Sequence, residues 1–326
     1  MAADEITLGD GAALAPAVPS ERNSRNWLES PWFWLAILQV MAFIVPLLPL
    51  QSALEATVIV VANTVLHVVA IVQFAALLSR RDWTPAKAAI GLIVALFVWY
   101  LLMFETKPYL EHLIRTAPDM LPQLKLIGLL NASTRSTALI VAAVSGGSLV
   151  AQLIKSPNLL GPVCALVALI DIWGVLFQGP VSQIMQRAPQ IAEKAMNALP
   201  TASATVMIHG HRGTLQIPAP AIGAGDYLFI GLLFAALHLN GMNWRGAIKW
   251  TIPLVTVALL AVMFLPHVNL PGLLFIGLGI AIPNIQYFEY TREEKFAMLY
   301  AAGFVLILTV LIYLGVIRAL PHGPMR

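Results

Sequence analysis

Two aspartates lie in segments that otherwise have the composition of lipid-embedded helices. Asp171 is deep within "GPVCALVALIDIWGVLFQ", and Asp226 stands at the head of the apolar run that follows "IGAGD". A charge in such a position costs at least about 2.5 to 3.5 kcal/mol on insertion scales, and these residues usually face a bundle interior and serve a function. Glu55 is a third candidate. It opens its helix, so we expect it at the membrane interface, where the helix dipole stabilises it.

Two aspartates that are held together in a site of low dielectric act as one acid–base unit. Both cannot ionise, so the pair shares one proton. One carboxylate then activates a water as a base, while the other, protonated, polarises a carbonyl group. Aspartic proteases hydrolyse peptides by this chemistry. Two alternatives stay open: each aspartate caps a helix or bonds a polar neighbour, or both carry protons or cations in a secondary transporter.

Membrane-spanning helices are the elements that must position these aspartates. The chain is 59% hydrophobic and 11% charged, with a mean hydropathy of +0.81, far outside the usage of soluble domains. A spanning helix needs roughly 20 mostly apolar residues, so the sequence predicts an all-α, multi-pass integral membrane protein, a polytopic bundle of about nine transmembrane helices in a lipid bilayer. The predicted spans are residues 32–50, 55–79, 87–104, 137–155, 157–178, 221–239, 246–266, 270–288 and 295–318.

These spans divide the chain into four regions. The regions are a disordered tail at 1–31, N-terminal transmembrane helices at 32–156, a catalytic transmembrane core at 157–290, and an additional helix and tail at 291–326. The net charge of +3 is spread over short loops. Positive charge beside spans orients them in the membrane, so we predict no nucleic-acid partner.

Small residues accompany both aspartates. Cys164 and Ala168 share a helix face with Asp171, and such a face admits a close neighbour, which we predict to be the helix of Asp226. Gly225 removes a side chain beside Asp226, so that a partner backbone can come near.

The loop between the two aspartate helices contains a strand pattern. Residues 204–220, "ATVMIHGHRGTLQIPAP", alternate β-formers around a turn that contains glycine, which predicts a short β-hairpin. A helical substrate must unwind before it is cut, so we expect an extended peptide to pair with the second strand, at Thr214, Leu215, Gln216 and Ile217. A plain exposed hairpin is the other interpretation.

No metal or cofactor is predicted. Cys164 is the one cysteine of the chain, and His209 and His211 in "HGHRG" have no third ligand nearby. The sequence also lacks the Gly-x-Ser-x-Gly elbow of serine hydrolases.

Three motifs follow one another in the second half of the chain. They are "ALIDIWGV", Gly223-Ala224-Gly225-Asp226, and Pro271-Gly272-Leu273 in "NLPGLLF". In this order they resemble the Tyr-Asp, Gly-x-Gly-Asp and Pro-Ala-Leu motifs of the presenilin and signal-peptide-peptidase family of intramembrane aspartyl proteases. Ile170 stands in the place of the tyrosine. The stretch that leaves the first helix, "FQGPVSQIMQRAPQIAEKAMNALP", is also similar, and the resemblance covers roughly residues 158–290.

The resemblance implies an aspartic endopeptidase that cuts transmembrane segments of membrane proteins or signal peptides, with Asp171 and Asp226 as its dyad. It implies that the residues that bind the substrate near the dyad are Gly223, Gly225, Pro271, Gly272 and Leu273. A protease-derived scaffold that binds helices without cutting them is a third possibility. Five predicted spans precede Gly223 where the family has six, so either an early span is hidden in residues 105–136, which are otherwise a long loop, or the outer helices differ from those of the family.

Overall fold

A computed structural model describes most of the chain. It describes residues 27–80, 83–176, 196–208, 211–217, 219–265, 270–296 and 298–300, and the single positions 303, 304, 307, 310 and 311. Three predicted segments lie outside these residues. They are the tail up to residue 26, residues 177–195 of the stretch that leaves the first aspartate helix, and most of the span 295–318.

The described chain is mostly helical. Its helices are α1 (Pro31–Ile44), α2 (Ala53–Leu78), α3 (Pro85–Tyr100), α4 (Lys107–Thr116), α5 (Leu121–Val150), α6 (Pro157–Leu176), α7 (Ala224–Leu239), α8 (Trp244–Phe264) and α9 (Gly272–Ala281). A 3₁₀ turn, Ile282–Tyr287, continues α9. Local signals begin several of them: Ser52 Oγ accepts from Glu55 N–H, and the Glu55 carboxylate accepts from Gln51 N–H. Glu55 therefore caps α2, as its position predicts.

Length and composition make this an all-α membrane protein. Within the described ranges, five helical stretches are long and apolar enough to cross a bilayer: Ala53–Leu78, Pro85–Thr116, Leu121–Leu153, Pro157–Val175 and Trp244–Phe264. Three shorter apolar helices accompany them, at Pro31–Leu47, Ala224–Leu239 and Gly272–Tyr287. Nine full spans are not found in the described part, and that count remains a prediction.

The long loop predicted at residues 105–136 was wrong, and so was a hidden span in this segment. A π-helical turn at Leu101–Thr106 carries α3 directly into α4, and α5 begins at Leu121. The segment therefore extends two neighbouring helices and is neither a long loop nor a separate span. Polar residues suggested a loop, but Lys107 and Glu111 form an i,i+4 ion pair of 3.9 Å along the helix.

Two small antiparallel sheets precede α7. Strands β2 (Ser203–Ile208) and β3 (His211–Gln216) form the predicted hairpin, which is confirmed, with Ser203 opposite Gln216. Strands β1 (Met196–Ala198) and β4 (Ala221–Gly223) form a second ladder that the sequence pattern did not indicate. Because β4 runs directly into α7, this ladder fixes the start of the helix that carries Asp226.

Glycines bring the central helices into close contact. On α5, a Cβ at Gly147 would collide with the backbone of Leu228 on α7; at Gly231 on α7, a Cβ would lie 2.6 Å from Val144 O. Helix α9 packs between α6 and α8: a Cβ at Gly277 would lie 3.3 Å from Cys164 O on α6. The helix face that carries Asp171 therefore packs mainly against α9. The prediction that α7 is its main neighbour was wrong.

Candidate active site

Asp171 binds the first turn of α9. Its Oδ2 accepts a hydrogen bond of 2.7 Å from Leu273 N–H. Pro271 is the N-cap of α9, so the N–H of Leu273 lies in the first turn and has no carbonyl partner within the helix. A carboxylate supplied by α6 takes the place of that partner. The Leu273 amide is therefore bonded to Asp171 and is not free to orient a peptide.

Asp226 caps its own helix. It is the third residue of α7, and its Oδ2 accepts a hydrogen bond of 3.0 Å from Gly223 N–H. This is the N3 position, where a carboxylate that bonds back to the N-cap amide stabilises a helix start. Each aspartate thus uses one oxygen for a helix cap, which was one of the alternatives that the sequence left open.

Both aspartates line one cavity. It has a volume of about 240 Å³, and Gly272 from the start of α9 lies on its wall together with Asp171 and Asp226. A Cβ placed on Gly272 would lie 3.6 Å from Asp226 Oδ1. The N-terminus of α9 is therefore the shared neighbour of the two carboxyl groups. The cavity can hold water or a short length of extended peptide beside them.

The two glycines of the Gly-x-Gly-Asp motif have different surroundings. A Cβ at Gly223 would lie 3.5 Å from Asp226 Oδ2, an ordinary contact, and Gly223 lines the cavity. A Cβ at Gly225 would meet no described atom within 4 Å. The close helix contact predicted at Gly225 is thus wrong for the described chain.

The strand beside the aspartates is β4, whereas sequence analysis assigned the substrate to β3; binding of substrate at β3 stays a prediction. Ala221, Ile222 and Gly223 line the aspartate cavity, as does Met196 of β1. The residues proposed to bind substrate on β3 and just after it do not line this cavity: Thr214, Leu215, Gln216 and Ile217. Strands of three residues carry no readable alternation, so sequence analysis had no signal for β1 or β4.

Of the third motif, Pro271-Gly272-Leu273, one residue lines the aspartate cavity. Gly272 lines the cavity, whereas the buried Pro271 and Leu273 are not among its lining residues. Ile170, at the tyrosine position, has half of its side-chain surface exposed (50%). The residue before Asp171 is therefore directed largely away from the core.

A buried chain of hydrogen bonds includes Tyr227, the residue that follows Asp226. Tyr227 is fully buried, and its hydroxyl accepts a hydrogen bond of 3.3 Å from Asn197 Nδ2. His67 Nε2 lies 3.1 Å from the same hydroxyl, which can donate its proton to that nitrogen. Ser136 Oγ donates to Asn197 Oδ1 and extends the chain to α5. His67 of α2 thus bonds to a residue of another helix, Tyr227 of α7.

Tyr227→Phe tests this chain. The change keeps the ring but leaves the polar groups of His67 and Asn197 without their partner, which costs about 1 to 3 kcal/mol for a buried group. We expect a lower midpoint of thermal unfolding in detergent. Tyr100→Phe, on a side chain that is 49% exposed, is the control and should not move the midpoint. Equal midpoints for both variants would contradict a stabilising role for the Tyr227 hydroxyl.

Gly272→Ala tests the space over the carboxyls and restores the alanine of the resembled motif. Its Cβ would make an ordinary contact of 3.6 Å with Asp226 Oδ1, and replacing glycine where the backbone allows it stabilises by about 0.4 to 1 kcal/mol. We expect a slightly higher unfolding midpoint. Gly279→Ala on the same helix should lower it, because the new Cβ would lie 2.6 Å from Thr251 Cα. A destabilised Gly272→Ala would show that the space between Gly272 and Asp226 is narrower than a contact of 3.6 Å implies.

Within the described residues, no three His, Cys, Asp or Glu side chains come together as a metal site. His209 lies outside these residues, and the two aspartates are joined by no third ligand of this kind. Comparison of the chain with protein-family models, with curated proteins and with solved structures gives no match. The candidate site therefore rests on its own geometry and on the three motifs.

Proposed function

We propose that this protein is an intramembrane aspartyl protease with Asp171 and Asp226 as its catalytic dyad. The observation that carries the proposal is that both carboxyl groups line one cavity at the N-terminus of α9. Two aspartates from separate helices of a membrane protein share a site there. The order of the three motifs along the chain supports the same assignment, as does the β-ladder beside Asp226.

In the proposed reaction the dyad holds one proton and one water. Backbone amides occupy Oδ2 of Asp171 and Oδ2 of Asp226, so each carboxyl keeps its other oxygen for chemistry. The ionised carboxylate takes a proton from the water as the water oxygen adds to the scissile carbonyl carbon, and the protonated partner donates to the carbonyl oxygen. Transfer of a proton to the amide nitrogen then breaks the C–N bond and leaves a carboxylic acid and an amine.

The proposed substrates are transmembrane segments or signal peptides. A helix hides its carbonyl groups in hydrogen bonds, so the substrate must become extended before the dyad can reach one. Strand β4 offers an edge beside Asp226, and an extended peptide can add to such an edge through main-chain hydrogen bonds. The catalytic region at 157–290, a multi-pass bundle of about nine helices and the absence of a cofactor belong to this proposal.

The test is cleavage by the purified protein. Wild type in detergent or nanodiscs is incubated with model transmembrane peptides in H₂¹⁸O, and products are weighed by mass spectrometry. Hydrolysis at one internal bond, with one ¹⁸O in the new carboxyl group of the N-terminal product, supports the proposal. The secondary transporter makes a different prediction: proton or cation flux in proteoliposomes with intact peptides. Flux without cleavage would overturn the proposal in favour of a carrier.

A further inference from the structure

A second cavity adjoins the aspartate cavity. Its volume is about 570 Å³, and its walls come from α1, α5, the end of α3 and the strand β1. Met196 and Ala221 line both cavities. The β1–β4 ladder is therefore the shared wall, and a peptide extended along this ladder at the dyad would run on into the larger cavity.

Arg135 is the one formally charged side chain among the residues that line this second cavity. It lies halfway along α5, a candidate membrane span. Its guanidinium contacts Met103 Sδ at 3.0 Å, and a thioether is a weak acceptor for a group with five N–H donors. Within the described part of the chain, no carboxylate lies within salt-bridge distance of Arg135. A cation held in such a helix without an anion typically marks a ligand pathway.

The neighbouring polar groups are already bonded to one another. Ser133 and Thr137 hydrogen-bond to Gln39 of α1, and Ser136 donates to Asn197. These hydrogen bonds hold the polar side chains of the cavity wall in place. Arg135 is left with guanidinium N–H donors that bind no oxygen acceptor among the described residues. Met103 reaches it from the π-helical turn Leu101–Thr106, and single π-helical turns occur frequently at functional sites.

The contacts between α5 and α7 give the separation of Arg135 from the dyad. The two helices run in the same direction. Val144 lies beside Gly231, and Gly147 lies beside the turn between Leu228 and Leu232. Just beyond the ends of both helices, Asn240 Nδ2 donates to Ile154 O. Counting back along each helix at about 1.5 Å per residue places Arg135 about 6 to 12 Å beyond the level of Asp226. An extended peptide covers that distance in about two to four residues.

We propose that this cavity is a charge-selective subsite, in which Arg135 binds an acidic side chain two to four residues from the scissile bond of the substrate. The inference rests on the proposed function. A carboxylate is the complement of a planar guanidinium, because it accepts two parallel hydrogen bonds. The mostly apolar remainder of the wall suits the rest of a membrane-derived peptide.

The experiment uses matched transmembrane peptides that carry Glu, Gln or Lys at each position within four residues of the cleaved bond. For wild type, we expect Glu at one position to raise kcat/KM by about tenfold over Gln, as one charge-assisted interaction would. Arg135→Gln should bring this ratio close to one. Arg135→Glu should favour the Lys peptide. Arg245→Gln, whose guanidinium lies over the Trp244 ring at 5.2 Å, is the control and should keep the ratio of wild type.

Other outcomes overturn the subsite. Equal cleavage of all peptides by wild type would do so, and so would a uniform loss of activity in Arg135→Gln that leaves the Glu/Gln ratio intact. A third contrary result is a rate that depends on anionic lipid in the nanodisc through Arg135, with no preference among peptides. In that case Arg135 binds a lipid headgroup.

A binding measurement separates this inference from the proposed function. The Asp171→Asn/Asp226→Asn double variant removes the chemistry but keeps Arg135, and its affinity for labelled Glu and Gln peptides is measured by fluorescence anisotropy. Tighter binding of the Glu peptide that is lost on adding Arg135→Gln supports the subsite even where wild type cuts no peptide. Equal affinities with active wild type would leave the protease in place and remove the subsite.

Discussion

Replacement of either Asp171 or Asp226 by asparagine is expected to abolish peptide cleavage. An amide cannot exchange the shared proton, and general acid–base catalysis of this kind contributes about 10² to 10⁴-fold to the rate. The loss should be complete in each single variant, because the two carboxyls act as one unit and the double variant removes nothing further. Product formation from a transmembrane peptide, followed by mass spectrometry, measures the effect.

The structure separates this loss from misfolding. Asparagine keeps a carbonyl oxygen, which can still accept from Leu273 N–H in Asp171→Asn and from Gly223 N–H in Asp226→Asn. Both helix caps should survive, with unfolding midpoints close to that of wild type. Glu55→Gln removes the same charge from the cap of α2, outside the aspartate cavity, and should cut normally. Cleavage that persists in either aspartate variant at the rate of wild type would rule out the dyad.

The helices could be predicted because a bilayer demands continuous apolar segments of fixed length. Spans predicted at 55–79 and 246–266 correspond to Ala53–Leu78 and Trp244–Phe264. Helix α4, which continues α3, could not be predicted, because the apolar run ends before Lys107. Backbone hydrogen bonds and an ion pair between Lys107 and Glu111 continue the helix there. Hydropathy reports on lipid contact and is silent on helices that extend into water.

The two aspartates could be selected by the cost of placing a charge in an apolar helix. Their surroundings could not, because which helices pack together depends on side chains far apart in the chain. Cys164 of α6 meets Gly277 of α9, and nothing within either segment specifies the other. The same holds for β1 and β4, since a three-residue strand forms only when its partner is in place. The Gly-x-Gly-Asp stretch thus indicated Asp226 as a candidate site residue, and only the fold supplied its neighbours.

The contact between α5 and α7 gives the second large expected effect, this time on stability. A methyl group at Gly147 would overlap the backbone of Leu228, and one at Gly231 would lie 2.6 Å from Val144 O. Backbone cannot move aside as a flexible side chain can, so the helices must separate. Overpacking of this kind costs about 1 to 3 kcal/mol and occasionally more. We expect Gly147→Ala and Gly231→Ala to destabilise the fold by an amount at the upper end of this range. A markedly smaller fraction of each variant should be folded after solubilisation.

A neighbouring glycine supplies the matched control for this contact. At Gly146 a Cβ would lie 3.7 Å from Leu92 Cδ1, an ordinary contact with the end of a flexible side chain, so Gly146→Ala should fold as well as wild type or better. Size-exclusion profiles and thermal unfolding in detergent compare the three variants. Because α7 carries Asp226 and Tyr227, any Gly147→Ala protein that folds should also cleave peptides more slowly. If Gly147→Ala and Gly146→Ala have equal unfolding midpoints, α5 and α7 do not touch at Gly147, and the level assigned to Arg135 relative to Asp226 is wrong as well.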